Sequence, residues 1–252
     1  MTKSKTKEIL FTLLSVAILI AVWWILAETK FKQTGVLPTP IDTIKIIIAQ
    51  IQKDSFFKAI LSTLQRSLIS FTISFTIAGI LAVLAHLKGF IAYMINPFIT
   101  LCRSVPTMAL VLILLLTVNS YMLPIVVAFL VVFPLCYENM KTAIDETDKR
   151  LITMAKVFKI PKHRQIIGIY IPAMLPYVFA SIISGFGLNI KVIISAEVMG
   201  LPTMSIGHLI LSARQSFDFK TSFAWLIIAV ILSLICELIL KKISKLSMPW
   251  LK

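Results

Sequence analysis

The sequence predicts an all-α membrane protein with about six transmembrane helices. Of its 252 residues, 58% are hydrophobic and only 14% are charged, and the apolar residues gather in runs long enough to cross a membrane. A bilayer core of about 30 Å needs about 20 apolar residues per helix. Soluble domains are about half apolar and a quarter charged. The composition therefore excludes a soluble enzyme, a disordered chain and a small disulfide-bonded scaffold.

The apolar runs divide into six predicted spans. The first, residues 9–27, follows three lysines as a signal peptide would, but it is longer than a signal core and lacks a small-residue cleavage site. We interpret it as a retained anchor. A long tract in the middle of the chain is interrupted by Arg103 and Pro106, and its first part, residues 90–102, is predicted to be a re-entrant or interfacial piece. The other predicted spans are residues 67–85, 106–118, 121–137, 173–196 and 223–240.

The basic residues predict that both termini lie on the inner side of the membrane. The net charge of +14 is spread over the ends and links of the apolar runs, which is typical of an orientation signal and not of a nucleic-acid surface. With this N-in/C-in topology, the inner segments carry fifteen of the 25 Lys and Arg residues and the outer segments carry eight. Arg66 is counted among the eight, as a residue flanking the second span.

The whole chain, residues 1–252, is predicted to form one transmembrane domain without internal repeats. Residues 1–60 hold the first span and an outer segment. Residues 61–240 form the core, which includes a cytoplasmic loop at residues 138–172. Residues 241–252 form a basic cytoplasmic tail.

The outer segment contains isoleucines at helical spacing. A threonine, a proline and an aspartate at its start, in Thr39-Pro40-Ile41-Asp42, are typical of a helix N-terminus. The pattern predicts an amphipathic helix that lies on the outer face of the membrane. The isoleucines are Ile41, Ile44, Ile48 and Ile51.

The cytoplasmic loop contains apolar residues at positions i, i+3, i+4 and i+7, which predict a short helix with one apolar face. They are Leu151, Met154, Ala155 and Phe158. Asp148 is a candidate N-cap, and Pro161 lies just beyond the predicted end. Two interpretations stay open: the helix lies on anionic lipid with its lysines at the headgroups, or it offers its apolar face to a groove on a cytoplasmic protein.

Three ionisable residues, Arg103, Lys191 and Glu197, lie in or near the predicted spans, where such groups are functional candidates. Lys191 either extends to the outer interface or lines a path suited to an anionic solute. Glu197 lies near the outer boundary and could cap a neighbouring loop, and its spacing of six residues from Lys191 puts the two on different helix faces. Arg103 is an anchor candidate at the inner interface. Ser181 and Gly185 permit close helix approach, either inside one subunit or in a homodimer.

No motif for catalysis or nucleotide binding is present. The sequence lacks a phosphate-binding G-x-x-x-x-G-K-[ST] loop and the H-E-x-x-H, C-x-x-C and G-x-S-x-G patterns. We therefore predict no catalytic residue and no metal ligand. Two rival classes are a self-sufficient secondary transporter, which needs ion-coupling carboxylates at mid-membrane, and an integral membrane enzyme, which needs clustered nucleophiles or ligands. The carboxylates near the spans lie at span ends, which disfavours the first, and no such cluster is visible.

Several short motifs follow one another along the chain. They are Gly35-Val36-Leu37-Pro38-Thr39-Pro40, Pro97 with Arg103-Ser104-Val105-Pro106, Thr153-Met154-Ala155 with Phe158-Lys159-Ile160 and Leu175-Pro176, and Ile190-Lys191-Val192 with Ala196-Glu197-Val198-Met199-Gly200. In order and spacing they resemble the permease subunits of ABC-type importers, in particular the nitrate/sulfonate/taurine branch. The third motif resembles the EAA loop of that family, with Thr153 in place of the glutamate and Lys159 in place of the glycine. If that glycine is left-handed, a lysine there costs about 1 kcal/mol, unless the loop turns through Pro161 instead.

The resemblance implies a type I ABC importer permease-like fold in the bacterial inner membrane and no enzymatic activity in this chain. It implies a homodimer surrounded by membrane lipid, cytoplasmic ATPase subunits that bind ATP and Mg²⁺, and an extracytoplasmic solute-binding protein. The chain itself is expected to bind no cofactor. The resemblance also implies that the inner loop contacts the ATPase through Leu151, Thr153, Met154, Ala155, Phe158 and Lys159.

The resemblance further implies a small solute, for which Lys191 favours an anion such as nitrate, a sulfonate or taurine. Lys191, Glu197 and Arg103 are then the candidates for the translocation path or its gate. A cationic or heterocyclic solute, such as a thiamine precursor, is the alternative within the same class.

Overall fold

The structure is a computed structural model that describes residues 2–146 and 149–248. All regular secondary structure in these ranges is helical, which confirms the all-α class. The helices are α1 (Thr2–Thr29), α2 (Pro40–Ile51), α3 (Asp54–Leu87), α4 (Gly89–Ser104), α5 (Thr107–Leu114), α6 (Leu123–Asp145), α7 (Lys149–Val157), α8 (Lys162–Gln165), α9 (Ile171–Gly200), α10 (Ile206–Gln215) and α11 (Phe219–Ser247). A π-helical turn, Ile166–Tyr170, joins α8 to α9.

Five helical segments in the described ranges are long and apolar enough to cross a membrane, and a bent helix pair can supply a sixth crossing. The pair is α4 and α5, whose axes differ in direction by 95°. The prediction of about six spans is therefore confirmed. The five unbroken segments are Leu10–Thr29, Asp54–Leu87, Leu123–Asp145, His163–Gly200 and Phe219–Ser247.

The predicted span at residues 106–118 is wrong as a separate crossing. Helix α5 has eight residues, which span about 12 Å at 1.5 Å per residue and cover less than half of a bilayer core. The chain breaks between α4 and α5 because Val105 and Pro106 are extended, and a proline disfavours the helical conformation in the residue before it. Residues 90–102 belong to α4, so they are one half of this broken span.

Two other predicted boundaries also differ from the structure. Helix α3 begins at Asp54, thirteen residues before the predicted start of the second span, so Arg66 lies inside the helix. The predicted loop at residues 138–172 is mostly helical: it holds the end of α6, then α7, α8 and the π-helical turn. The apolar pattern located the five unbroken spans but underestimated their lengths, because polar residues buried in a helix look like span ends. Asp148, the predicted N-cap, lies outside the described residues.

Helices α3, α6 and α9 form the centre of the bundle. On α3, small residues recur every four positions on the buried face, which allows the neighbouring backbones to approach closely. These are Ser70, Ser74, Ala78 and Ala82. The Ser70 hydroxyl donates to the Ile125 carbonyl of α6 at 3.1 Å. Helices α4 and α5 pack beside α6, and α10 and α11 pack beside α9.

Ser181 and Gly185 on α9 are used for packing inside the subunit. Ser181 is fully buried, and a Cβ atom on Gly185 would lie 3.1 Å from the Phe71 ring of α3 and 3.2 Å from the Cys136 sulfur of α6. Of the two roles left open by the sequence, the structure thus supports close approach within one chain.

Helix α1 touches the rest of the protein mainly near its outer end. The Trp23 indole N–H donates to the Pro38 carbonyl at 3.0 Å, and the ring lies 5.3 Å from that of Phe223 on α11. Helix α2 forms as predicted, with the Thr39 hydroxyl accepting from the Asp42 N–H at 3.1 Å. The four isoleucines of the predicted stripe are exposed, while Thr43 and Gln50 are buried and Ile47 packs against the core, so the predicted stripe faces away from the bundle.

The crowding at Gly185 gives a prediction about stability. We expect Gly185→Ala to lower the free energy of unfolding by about 1–3 kcal/mol, because the added methyl group overpacks the contact with Phe71 and Cys136. Thermal unfolding of the purified protein in detergent measures the change.

Gly187 is the matched control, because a Cβ atom there meets nothing within 4 Å. Gly187→Ala should leave the midpoint unchanged or raise it slightly, since alanine stabilises a helix by up to about 1 kcal/mol over glycine. If both variants unfold at the same temperature, the packing role of Gly185 is wrong.

Candidate functional site

A buried ionic cluster joins α3 to the outer end of α9. Arg66 donates from Nη1 to Glu197 Oε1 at 2.8 Å, and Thr63 donates from its hydroxyl to Glu197 Oε2 at 2.9 Å. The side chains of Arg66 and Glu197 are 2% and 0% exposed. The Arg66 guanidinium also lies 5.0 Å from the ring centre of Tyr121, as in a cation–π contact. The charge of each partner is therefore neutralised where water is excluded.

The same cluster holds the N-terminus of α10. The first N–H groups of a helix have no partner within the helix. Here the Ile206 N–H donates to the Thr63 hydroxyl at 3.1 Å, and the Gly207 N–H donates to Glu197 Oε2 at 3.3 Å. The Ser205 hydroxyl accepts from the next N–H at 3.1 Å. A carboxylate is favoured at this position because a helix N-terminus is electropositive.

Gly207 makes this close approach possible. A Cβ atom at this position would lie 2.4 Å from the Glu197 Cβ and 2.5 Å from the Val198 backbone nitrogen, so a larger residue would displace α10. The structure thus places Glu197 in a tertiary helix cap, where its side chain is not exposed on the single chain.

Arg66 was missed by sequence reasoning. A signal was present, since Thr63, Arg66, Ser67 and Ser70 have the three- and four-residue spacing of one helix face, which would have extended the predicted span towards its N-terminus.

Lys191 faces a cavity of about 320 Å³ between α9 and α11. The cavity is mostly apolar, with Ser195, Ser233 and Glu237 as its other polar side chains. Glu237 is paired with Lys241 at 2.6 Å. Lys191 is exposed and forms no ion pair with any residue that the structure describes. The cavity thus presents a cation that no carboxylate neutralises by direct contact.

Arg103 lies at the end of α4, beside the break in the broken span, and donates to Glu138 on α6. The two side chains are 58% and 43% exposed. This pair ties α4 to α6 and leaves both charges on an open surface of the single chain. It lies on the α4 side of α6, whereas Lys191 faces α11, so one cavity does not contain both cations.

Helix α7 carries the residues predicted to contact an ATPase. Ala155 is fully buried, whereas Met154 and Phe158 are 47% and 72% exposed, and Thr153 is also exposed. The predicted apolar face is thus divided into a buried alanine and larger side chains that are exposed. The side chain of Leu151 lies outside the described set.

Helix α7 ends in a left-handed turn at Lys159, whose φ is 52°. The Ile160 N–H donates to the Ala155 carbonyl at 2.9 Å, and the Phe158 N–H donates to the Met154 carbonyl at 3.0 Å. The first bond and the left-handed residue are those of a Schellman motif. Lys159 therefore adopts the conformation that favours glycine, at a cost of about 1 kcal/mol.

The described residues contain no group of three or more His, Cys, Asp and Glu side chains that could hold a metal ion. Instead, the polar groups described above connect helices to one another, place a cation in a cavity or lie on exposed helix surfaces. Together with five or six apolar spans, these features define a multi-pass membrane protein.

Residues 74–246 match the family described as "Binding-protein-dependent transport system inner membrane component". The match covers more than half of the chain, and the chain belongs to this family. The class inferred from the sequence is thereby confirmed.

Similar proteins carry related descriptions. The chain is 24% identical to the "Putative aliphatic sulfonates transport permease protein SsuC" of Bacillus subtilis, over 94% of this chain and 86% of the relative. It is 22% identical to the protein of the same description from Escherichia coli, over 92% and 88% of the two chains. A "Probable ABC transporter permease protein" of Brucella melitensis is 23% identical, over 94% and 96%.

Two solved structures share the fold. A chain of the MetNI methionine ABC transporter in an inward-facing conformation is 16% identical with a TM-score of 0.62, covering 76% of this chain and 95% of its own. A chain of a bacterial ABC transporter that imports the acidic polysaccharide alginate is 16% identical with a TM-score of 0.64, covering 96% of each chain. Both are ABC importers, which confirms the permease-like fold.

These comparisons define the chain as an ABC importer permease component of the bacterial inner membrane. Its relatives are permease subunits, and the ATPase of such systems is a separate subunit, so the chain is not itself an enzyme. Family membership also argues against the rival classes of secondary transporter and membrane enzyme.

The buried ion pair gives a prediction for its removal. Arg66→Met should lower the free energy of unfolding by about 3–5 kcal/mol, because it leaves the Glu197 carboxylate buried without its cation. Thermal unfolding in detergent and the yield of folded protein measure the loss.

The double variant Arg66→Met/Glu197→Gln should recover most of that stability, because a neutral amide can still accept from Thr63 and Gly207. Lys32→Met removes one partner of an exposed ion pair with Glu28 and should have little effect. A double variant as unstable as Arg66→Met would contradict the assignment to buried charge.

Proposed function

We propose that two copies of this permease form the path for a small organic anion of the sulfonate type, delivered by a binding protein. The observation that carries the proposal is the exposed and unpaired ammonium of Lys191 in the α9–α11 cavity. Lys191 lies nine residues before the outer end of α9, about 14 Å along the helix axis. A cation at this depth is costly in lipid, so it is expected to face water or another protein surface.

The cavity has the chemistry that an alkyl sulfonate requires. Lys191 can pair with the anionic group, and Ser195 and Ser233 place hydroxyls in the same cavity. Leu226, Val230 and other apolar residues supply a surface for a short alkyl chain. The descriptions of the Bacillus and Escherichia relatives as aliphatic sulfonate permeases support the same class.

A cationic or heterocyclic solute is the alternative. Glu237 favours it, because this carboxylate lines the same cavity as Lys191. However, Glu237 is already paired with Lys241 at 2.6 Å, whereas Lys191 has no such partner. Lys191, Lys241 and Glu237 together carry a net charge of +1, which favours an anion.

The surface around the broken span supports a homodimer. Arg103 and Glu138 are exposed beside the interruption between α4 and α5, and broken helices within a membrane are tolerated where they are buried in protein or line a water-filled cavity. We infer that this surface packs against a second copy. Arg103 then lies at the contact between the two copies, on the other side of α6 from the cavity that contains Lys191.

Helix α7 is inferred to dock into a groove of the cytoplasmic ATPase. Ala155 is buried, whereas Met154, Val157 and Phe158 are exposed, so this segment presents its larger apolar side chains on the surface. The Schellman motif at Lys159 fixes the end of the helix. Such a preformed apolar surface suits a protein groove. ATP and Mg²⁺ would bind to the ATPase, and this chain would bind no cofactor.

The short links beside α7 suit a coupling role. Helix α6 ends at Asp145 and α7 begins at Lys149, while four residues separate Val157 from α8. A displacement of α7 by the closing ATPases is therefore transmitted to α6 and, through α8 and the π-helical turn, to α9. Since Lys191 lies on α9, this movement can open the path alternately to the two sides.

The docking role predicts a loss of assembly. Met154→Asp and Phe158→Asp should each abolish co-purification of the ATPase, because a desolvated carboxylate in an apolar groove is strongly unfavourable. Membrane insertion should stay normal, since both side chains are exposed on the isolated chain. Affinity purification of the tagged permease in mild detergent measures ATPase stoichiometry.

Ile167→Asp is the matched control, because Ile167 is also exposed and apolar but belongs to the π-helical turn outside α7. It should retain the ATPase. Normal ATPase binding by both α7 variants would refute the docking assignment, and lipid binding by α7 would then be the better interpretation.

The anion path gives a second functional prediction. Lys191→Met should reduce ATP-driven uptake of a labelled alkyl sulfonate about tenfold, because about 1.4 kcal/mol of charge-assisted hydrogen bonding is lost. Uptake is measured in proteoliposomes that contain the permease and its ATPase, with the binding protein added outside.

Lys191→Arg keeps the charge and should retain most of the uptake, and Lys220→Met removes an exposed cation elsewhere and should have no effect. Unchanged uptake by Lys191→Met would exclude Lys191 from the path. Absence of sulfonate uptake by the unmodified complex would overturn the proposed solute class.

A further inference from the structure

A second cavity, of about 180 Å³, lies at the outer end of the protein between α10 and α11. It is lined by Arg214 from the last turn of α10, by Val36 from the segment between α1 and α2, and by the first two turns of α11. Leu226 lines both this outer cavity and the cavity that contains Lys191. The two cavities are therefore neighbours along α11.

The lining residues of α11 show that the two cavities follow one helix face. They recur at intervals of three or four residues, which keeps them on one side of a helix. From the first to the last they span eighteen residues, or about 27 Å, close to the thickness of a bilayer core of about 30 Å. This series includes Phe219, Ser222, Leu226, Val230, Ser233 and Glu237.

Arg214 is the cation of the outer cavity. It is exposed and forms no ion pair with a residue that the structure describes. Asp218, the nearest acid in sequence, caps the start of α11 by accepting from the Thr221 N–H at 3.0 Å. Arg214 thus resembles Lys191 in presenting an available positive charge to a cavity.

We propose that the two cavities form one track along α11, in which Arg214 is the first residue of the permease to contact the incoming anion and Lys191 is the second. The inference rests on the proposed function. A guanidinium binds an oxyanion such as a sulfonate through two parallel N–H donors, which suits capture and orientation at an outer mouth. Two successive sites permit passage, because conduction needs binding that is favourable enough to enter and weak enough to leave.

The outer position of Arg214 separates its role from that of Lys191. Arg214 belongs to α10, whose N-terminus is held by Thr63 and Glu197, so its position is fixed relative to α3 and α9. Val36 forms the opposite wall, and the adjoining segment is held by the bond from Trp23 to Pro38. The mouth is therefore built by elements that the buried cluster and α1 hold in place.

The test uses the assembled importer in proteoliposomes, with labelled ethanesulfonate as the probe. Arg214→Gln should lower uptake at least fivefold at saturating binding protein, while Arg214→Lys, which keeps the charge but not the two parallel donors, should retain more uptake than Arg214→Gln. Stimulation of the ATPase by the binding protein should persist in both variants, since the assembly is intact. Lys220→Gln removes an exposed cation of the same outer region that lines neither cavity, and it should transport normally.

A chemical restoration of charge makes the test independent of folding. In a chain with Cys102, Cys136 and Cys236 replaced by alanine, Arg214→Cys should regain uptake after modification with a positively charged methanethiosulfonate. A negatively charged methanethiosulfonate should not restore it. Equal recovery with both reagents would overturn the proposal, because charge would then be irrelevant at this position.

Three results would separate the possible failures. Normal uptake by Arg214→Gln, with reduced uptake by Lys191→Met, would refute the role of Arg214 and leave the proposed function intact. Loss of a bound anionic phospholipid from Arg214→Gln in native mass spectrometry, with normal uptake, would assign Arg214 to a lipid headgroup and overturn the inference. Absence of sulfonate uptake by the unmodified complex would overturn both proposals.

Discussion

The buried pair of Arg66 and Glu197 is the constraint on which the outer half of the structure depends. Two charges without water must neutralise each other and satisfy their remaining hydrogen-bonding groups, because an unpaired charge in this environment is strongly destabilising. The carboxylate meets this requirement through Thr63, Arg66 and Gly207. It thereby fixes three elements, α3, α9 and α10, relative to one another.

The polar contacts between helices at the other end of the bundle are exposed. His86 of α3 and Asp145 of α6 lie 3.4 Å apart on an exposed surface, and the pair between Arg103 and Glu138 is also exposed. Exposed pairs contribute little to stability because water screens them and the long side chains lose entropy. Separation of these groups consequently costs less than separation of Arg66 from Glu197. At this end, the connection between α3 and α6 therefore depends on apolar packing, which buries Ala82, Ala85 and Met140.

The sequence predicted the parts of the fold that depend on composition and on local spacing. Apolar runs located the spans, and the isoleucine and Leu151–Phe158 patterns located α2 and α7, because a helix brings residues three and four apart onto one face. Sequence reasoning failed where partners are distant along the chain. Arg66 and Glu197 are separated by 131 positions, and Arg66 was interpreted as a flank because a charge beside an apolar run is usually at the membrane surface. The break at Pro106 was visible, but the 95° bend it produces depends on packing against α6.

Glu197 and Lys191 show why depth in the membrane alone does not identify a transport residue. Both lie on α9, six positions apart, and both are charged residues within a predicted or adjoining span. Glu197 faces α3 and α10 and is neutralised by Arg66, so its charge stabilises the contact between these helices. Lys191 faces the cavity beside α11. Among the described residues, Glu237 is the one carboxylate that lines this cavity, and it is paired with Lys241. The fold thus neutralises one of these two charges completely and leaves the other without an ion-pair partner among the described residues, although both lie on the same helix.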